Sequence, residues 1–357
     1  MPLYLDFHKL ETSDISTEEL HETHNMDLAA QAEFGVTELK YWVNLEAQNL
    51  FCLVRAPNKE ACNKVHENSH GNTACNIIEV SEAEFNLYFG VGHDINELAH
   101  TEAGEFDTGF RTILLLSHTD FTGQSDQYLN EVIELIEAHN GVRVIYPEDD
   151  ILVSFIYASD AILCAQAIRK LLKSIPNEAE LNLTLVSGRP VDEVGNEMFE
   201  EAKKKAHCIT MLGSKNCMYL DLEAKALAEK ANAHTNINTE DFVLLKEVDF
   251  NFSIEVFEIL NNKIDQPDFK SDDLNNLLGL SKSKVYRTLK SLTGFAPNQL
   301  IQEFRLRKSL KYLRQESKSI SEIAYGLGFN SPAYFTKIFR KRFNITPTHF
   351  INASKDN

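Results

Sequence analysis

Cysteine is scarce, with six residues (52, 62, 75, 164, 208 and 217) in a chain of 357 and no CxxC pair among them. That scatter argues against a disulfide framework, so reduced and mostly buried thiols are expected. No apolar run is long enough to span a bilayer, and the start, MPLYLDFHKLE, has neither the basic end nor the apolar centre of a signal peptide. The expectation is a cytoplasmic protein with no membrane partner. Positive charge is also short: 35 Lys and Arg face 53 Asp and Glu, a net of −18. A uniform surface of that sign would repel DNA, but the shortage is not uniform. Residues 260–357 hold 17 basic and 8 acidic side chains, a net of +9, and the remainder holds 18 against 45, a net of −27.

The basic end is also the repetitive end. Residues Asp272–Pro297 and Ile320–Pro347 each give an apolar helix pattern, a turn containing Gly, a basic helix pattern and a Pro. From Ser281/Ser331 to Pro297/Pro347 the copies align at a constant offset of 50 residues without a gap. An internal repeat fixes the architectural unit, and helix, Gly turn, N-cap and helix is helix-turn-helix grammar. The second helices carry Val285, Leu289 and Leu292 or Phe335, Ile338, Phe339 and Phe343 on one side, with a basic face opposite. Such a helix can enter a DNA major groove with its back on a small core. The linking segment, Asn298–Gln315, reads as a further amphipathic helix without Gly or Pro.

Together with GLGFNSPAYFTKIFRKRFNITP, this order resembles the double helix-turn-helix DNA-binding domain of the AraC/XylS family of bacterial transcription regulators. The resemblance covers about the last hundred residues, a domain-sized unit. One departure is that Ile351, where the family often has Arg, follows Phe350. On double-stranded DNA the base contacts are expected from Ser283, Lys284 and Arg287 in the first reader and Ala333, Thr336 and Lys337 in the second. Lys282 and Lys290 complete the first basic face, and Arg340, Lys341 and Arg342 are expected on phosphates.

Residues 1–85 alternate strand, helix, strand, strand, helix and strand, the βαββαβ order of a ferredoxin-like sheet. His8, His21, His24, Asp27, His66 and His70 are the available ligands, and His66 and His70 share a helix face. His66–His70 also spells HExxH, but the module is too small for a peptide cleft, no third ligand follows at the expected spacing, and the helix stops at Gly71. The strings LDFHKL, THNMDLAAQAEFGV, YWVNLEAQNLFCLVRAPNKEA, VHENSHG and IIEV resemble a small group of ferredoxin-like proteins, some of which bind nickel. Carried over, that resemblance implies a metal site at His8, His24, His66 and His70. Imidazole-rich coordination suits Ni or Zn, with Cu a further option.

After a connector at 86–109, residues 110–250 again alternate hairpin strands with two helices, which favours a second ferredoxin-like sheet. The strings LLLSHTDFTG, YPEDDILVSF and LTLVSGRPV resemble the catalytic domain of class III nucleotide cyclases. Two-metal phosphoryl chemistry needs paired carboxylates. Asp149 matches the family's second metal residue, but the first falls on Ser117, and the Asn and Arg positions of the later helix fall near Phe199 and Lys203. The module therefore reads as a degenerate cyclase-like domain without catalysis.

The expected fold is thus two α+β modules followed by an all-α double helix-turn-helix domain at 251–357. The expected function is sequence-specific transcription regulation, with upstream modules that sense a metal or small-molecule effector and pair as a homodimer. A nucleotide cyclase coupled to a DNA reader and a metal-storage protein are the alternatives from other classes.

Overall fold

The first sheet is built by strands that alternate side chains between two partners. The computed structural model describes residues 1–10, 16–90, 97–121, 126–145, 150–173, 179–231, 238–315 and 317–354. The chain opens with β1 (Leu3–Lys9), α1 (Thr17–Ala30), β2 (Thr37–Asn44), β3 (Asn49–Arg55), α2 (Lys59–Ser69), β4 (Asn76–Val80), α3 (Glu82–Phe89) and β5 (Glu97–Leu98). The strands lie in the order β4-β1-β3-β2-β5, antiparallel except that β5 runs parallel to β2. Ser16 and Glu19 form a capping box that starts α1, and Asn58 caps α2. Leu20, Cys62 and Val65 of these helices pack on one sheet face, with Tyr4, Tyr41, Cys52 and Val54. The stretch expected as a connector from 86 holds the second half of α3, and β5 joins the sheet.

Next come β6 (Arg111–Asp120), α4 (Asp126–Ala138), β7 (Val142–Val144), β8 (Ile151–Phe155), α5 (Ala158–Leu172), β9 (Ala179–Gly188), α6 (Glu200–Leu212), β10 (Met218–Asp221), α7 (Leu222–Ala231), β11 (Phe242–Leu245) and α8 (Glu247–Lys263). Their sheet runs β11-β10-β9-β6-β8-β7. The four strands β9, β6, β8 and β7 are antiparallel neighbours, and β10 and β11 extend them in parallel. That parallel extension, together with α7, goes beyond the two-helix pattern read from the sequence. Helices α4, α5 and α7 cover one face through Val132, Ile136, Ile162, Ile168, Ala224 and Ala228.

The two sheets share a core. Leu5, Phe7 and Phe51 on the second face of the first sheet join Val186, Met198, Phe199, Ala202 and Ile209 of the middle region. Both faces of the first sheet are therefore covered, and β1 is buried from Leu3 to His8. Phe199 anchors the seam: it starts α6 with a left-handed backbone (φ 54°), unusual for a bulky residue, and its ring lies 4.6 Å from that of Tyr88. A strained conformation of this kind persists only where the surrounding packing imposes it.

The C-terminal region is all helical: α9 (Ser271–Leu277), α10 (Lys282–Thr293), α11 (Pro297–Arg314), α12 (Ile320–Gly326), α13 (Pro332–Phe343) and α14 (Pro347–Ala353). It has two small cores. Val256, Leu274, Val285, Leu289 and Phe304 form one, and Leu306, Ile323, Phe335, Phe339 and Phe350 the other. The α12–α13 turn requires glycine at Gly328, where φ is 73° and a Cβ would stand 2.5 Å from the Ile264 carbonyl oxygen. Among the described residues, no helix is long and apolar enough to cross a membrane.

Candidate metal centre and nucleic-acid interface

The histidines of the first module converge between the sheet and its two helices. Strand alternation sends Asp6 and His8 to the same face as Tyr4, and pairing sets Cys52 directly opposite Asp6. His24 and Asp27 descend from α1, and His66 and His70 from α2. Ligand atoms of Asp6, His8 and Cys52 lie within 4.8 Å of one another, as do those of Asp27, His66 and His70. His66 joins the two groups: its Nε2 stands 3.0 Å from Asp6 Oδ2 and its Nδ1 3.4 Å from Asp27 Oδ1. His70 Nε2 lies 3.3 Å from Asp27 Oδ1, and His8 Nε2 lies 3.4 Å from Asp6 Oδ1. The Cys52 amide donates to Asp6 at 3.0 Å, and Ser69 donates to Asp27.

Burial sets the charges here. It works against the Asp6 carboxylate, but His8 and His66 outweigh it and hold that carboxyl well below the usual range. Asp27 is likewise held down against burial by His66 and His70. Burial also opposes a proton on His66, yet its bonds to Asp27 and Asp6 raise it to about 11. His24 goes the other way, lowered to about 4 by burial, with its ring 4.4 Å from Tyr41. Glu38, 1% exposed and with neither carboxyl oxygen bonded, is pushed well above the usual range by burial and by the nearby Asp6.

A cation fits this donor set. His8 Nε2 and His24 Nε2 are buried without a hydrogen-bond partner, and together with His66, whose proton a metal would have to displace, they line a cavity of about 540 Å³ beside two ionised carboxylates. Of the four expected ligands, His8 falls in one group, His66 and His70 in the other, and His24 lines the shared cavity while packing on Tyr41. Asp6 and Cys52 were not anticipated. The two-residue spacing of Asp6 and His8 on a strand carried the first signal. Cys52 depended on register and had none.

The two readers expose their basic faces. Ser281 caps α10 by accepting from the Lys284 amide, and Ser331 caps α13 by accepting from the Tyr334 amide. Gly294 and Asn344 end the two helices in the left-handed region. Lys282, Ser283, Lys284, Arg287 and Lys290 are exposed on α10, and Ala333, Lys337, Arg340 and Lys341 on α13, with Thr336 half-buried. Lys282 pairs with Asp272 at 2.9 Å, and Lys290 bonds the Gly294 carbonyl at 2.5 Å, so these two first serve their own domain. Tyr286 and Tyr334, 49% and 50% exposed, stand on the same helices and were missed by charge-based reading. The 18 residues of α11 give a strut about 27 Å long between the readers.

Arg342 departs from expectation. It does not join Arg340 and Lys341 on the open face, because Glu303 of α11 and Glu180 of β9 hold it. Its Nε donates to Glu303 at 2.7 Å and its Nη2 to Glu180 at 2.8 Å. It thus ties α13 to the middle sheet. Beside it, Arg307 bonds Glu303 at 3.0 Å and donates to the Thr210 and Met211 carbonyls at the end of α6. Phe121, just past β6, packs 5.2 Å from Phe343 in the second reader's core. Ser117 is half-buried at the same end of β6, and Asp149, the other position aligned with a cyclase metal residue, lies outside the described residues.

Two family descriptions match the chain: "Helix-turn-helix domain" over residues 274–353 and "Nickel responsive protein SCO4226-like" over residues 4–80. Histidine kinase P4 of Formosa agariphila is 32% identical over 114 residues, covering 32% of this chain and 8% of that protein. The probable transcription factor PqrA of Proteus vulgaris is 38% identical over 81 residues, 23% of this chain and 66% of that one. The chain thus spans less than two thirds of the length of these relatives. Among solved structures, an AraC-type transcriptional regulator from Chromobacterium violaceum is 31% identical over 28% of this chain and 88% of its own, with a TM-score of 0.27. The C-terminal region is an AraC-type helix-turn-helix domain, and the N-terminal segment is a domain like the nickel-responsive protein SCO4226.

Proposed function

We propose that the whole protein is a sequence-specific, DNA-binding transcription regulator whose N-terminal metal site sets its state. The observation that carries this is the paired reader, α10 and α13, capped alike and exposed along matching basic faces. In this reading residues 251–357 bind double-stranded DNA, residues 1–85 and 110–250 are sensory and dimerising modules, and 86–109 joins them. The strand order β4-β1-β3-β2, matched by β9-β6-β8-β7 in the middle sheet, supports a ferredoxin-like reading of both. The uncharged Ser117 supports a middle module without cyclase chemistry, since a hydroxyl cannot replace a bridging carboxylate. Homodimerisation and a cytoplasmic location are part of the same proposal.

Nickel is the effector proposed, with zinc the alternative. Asp6, His8, Asp27, His66 and His70 would hold it, with the Cys52 thiol at one edge. The ion would add positive charge between two carboxylates and draw α1 and α2 onto the sheet. An effector of this kind acts only through a difference in its affinity for two states of the reader, and the coupling is reciprocal. Operator affinity measured with Ni²⁺ and after chelation is expected to differ by about 5- to 150-fold. Equal affinities would sink the metal-effector part and leave the DNA reader standing.

The readers divide the work. Arg287→Ala is expected to weaken one sequence by about 1–3 kcal/mol and relax preference at one base position. Arg340→Ala is expected to weaken all sequences alike and to lower the salt slope by about one unit. Binding measured on a randomised operator at several salt concentrations separates them. The assignment fails if the two patterns are exchanged.

A further inference from the structure

The cavity of the first module has an exposed end as well as a buried one. His8, His24, Cys52 and His66 line it and are buried, whereas Lys9, residues 71–73 and Cys75 line it and are exposed. Among the described lining residues, Cys75 is the exposed one that carries a thiol, imidazole or carboxylate. Its place follows from the strand. The Asn76 carboxamide donates to the Asp192 and Gly195 carbonyls at 2.9 and 3.1 Å, so Asn76 faces the middle region. Alternation then turns Cys75 to the other face of the sheet, the side of α1 and α2, where it lines the cavity. The Cys75 amide donates to the Phe7 carbonyl at 2.7 Å, which ties its backbone to β1 just before His8.

We propose that Cys75 is a thiolate ligand, at the mouth of this cavity, for a nickel or zinc ion. The inference rests on the metal reading above and adds a donor outside the two convergent groups, Asp6/His8/Cys52 and Asp27/His66/His70. A cysteine alone would carry no such role. Here it shares a cavity with His8 Nε2 and His24 Nε2, two nitrogens without a hydrogen-bond partner in residues only 8% and 5% exposed. Buried nitrogens of that kind call for a partner, and the carboxylates beside them favour a cation. The exposed end is where a hydrated ion meets the cavity. An exposed Cys75 side chain can turn about χ1 to meet it without displacing packed neighbours.

A thiolate is a softer donor than carboxylate or imidazole. A site that combines Cys75 with imidazoles therefore holds nickel or zinc and passes over magnesium and calcium, which take oxygen ligands. On binding, the sulfur–metal bond replaces the S–H bond and the proton leaves to solvent. Cys52 cannot take this part, because it is buried beside Asp6 on the floor of the cavity. Cys75 also gives the site a control that the buried donors lack, since a reagent in solution reaches its sulfur while the module stays folded.

The test is iodoacetamide labelling of the full chain with and without Ni²⁺, read cysteine by cysteine in a mass spectrometer. Ni²⁺ at ten times its dissociation constant is expected to slow alkylation of Cys75 about tenfold, since only the empty fraction reacts. Cys217, half-buried and outside the cavity, is expected to react at an unchanged rate. Cys75→Ser is expected to weaken nickel at least about tenfold, and Cys75→His, which returns a nitrogen donor, to recover part of that loss. With Co²⁺ as the probe, Cys75→Ser is expected to lose thiolate-to-metal absorption in the near ultraviolet. Metal-free variants are expected to unfold at the native temperature, because the replaced side chain is exposed. Nickel binding that leaves Cys75 alkylation unslowed overturns the proposal and leaves the metal reading standing. Slowed alkylation with an unchanged cobalt spectrum in Cys75→Ser also overturns it, by making Cys75 a covered neighbour. A native chain that binds no nickel and no zinc overturns both.

Discussion

Replacing His66 with alanine is expected to remove metal binding and to destabilise the first module by about 3–5 kcal/mol, the range for stripping one partner from a buried ion pair. His66 is 1% exposed and stands between Asp6 and Asp27, themselves 0% and 4% exposed. Without it both carboxylates lose their nearest positive charge in a site that water barely reaches. Asp6 keeps the Cys52 amide and His8, and Asp27 keeps His70 and Ser69, so the module is weakened rather than abolished. Thermal unfolding and bound-nickel content read the two effects separately. Asp27→Asn added to His66→Ala is expected to restore part of the stability, because one uncompensated charge is gone, while leaving the metal lost. A His66→Ala chain that keeps full nickel content would show that the ion sits elsewhere. A chain that loses nickel with unchanged stability would show that the carboxylates have another counter-charge.

The repeat at the C-terminus was legible because helix-turn-helix grammar is local. Caps, turn glycines and basic stripes lie within a few residues of one another, and the structure places α10 and α13 where Ser281 and Ser331 predict them. The βαββαβ element order of residues 1–85 was legible for the same reason. What could not be read was contact between distant segments. The alternation in β1 shows two faces, but not that Phe7 and Phe51 meet Phe199 and Ala202 on the far side. Asp6 shares a strand face with His8 by spacing alone, whereas Cys52 joins them through a register 46 residues away. Arg342 was misread for a related reason. Three consecutive cations look like one surface in sequence, but at 100° per residue on a helix they point apart. Only the docked position of β9 reveals that the third meets Glu180.

Arg342→Met is expected to loosen the second reader from the middle sheet and to cost about 3 kcal/mol, again the scale for breaking a buried pair. The guanidinium bonds two carboxylates, and Glu303 is only 5% exposed. Burial works against its charge, but Glu180 and Glu303 outweigh that and raise its affinity for the proton further. Methionine keeps an apolar stem but removes the guanidinium, whose Cζ also lies 4.7 Å from the Phe343 ring centroid, so the single variant loses that stacking contact together with the two carboxylate bonds. Arg307 still faces Glu303, which leaves Glu180 as the acid most exposed to the change, with Lys215 3.7 Å away as its remaining partner. A double-mutant cycle of Arg342→Met with Glu180→Gln is therefore expected to give a coupling energy of at least about 1 kcal/mol, whereas Arg340→Ala with Glu180→Gln should be additive. Because α10 is not touched, preference at the bases it reads is expected to survive, while overall operator affinity falls as α13 loses its fixed angle to α11. A shift in base preference would return Arg342 to the DNA surface, and additivity with Glu180→Gln would remove the tie between the reader and the middle module.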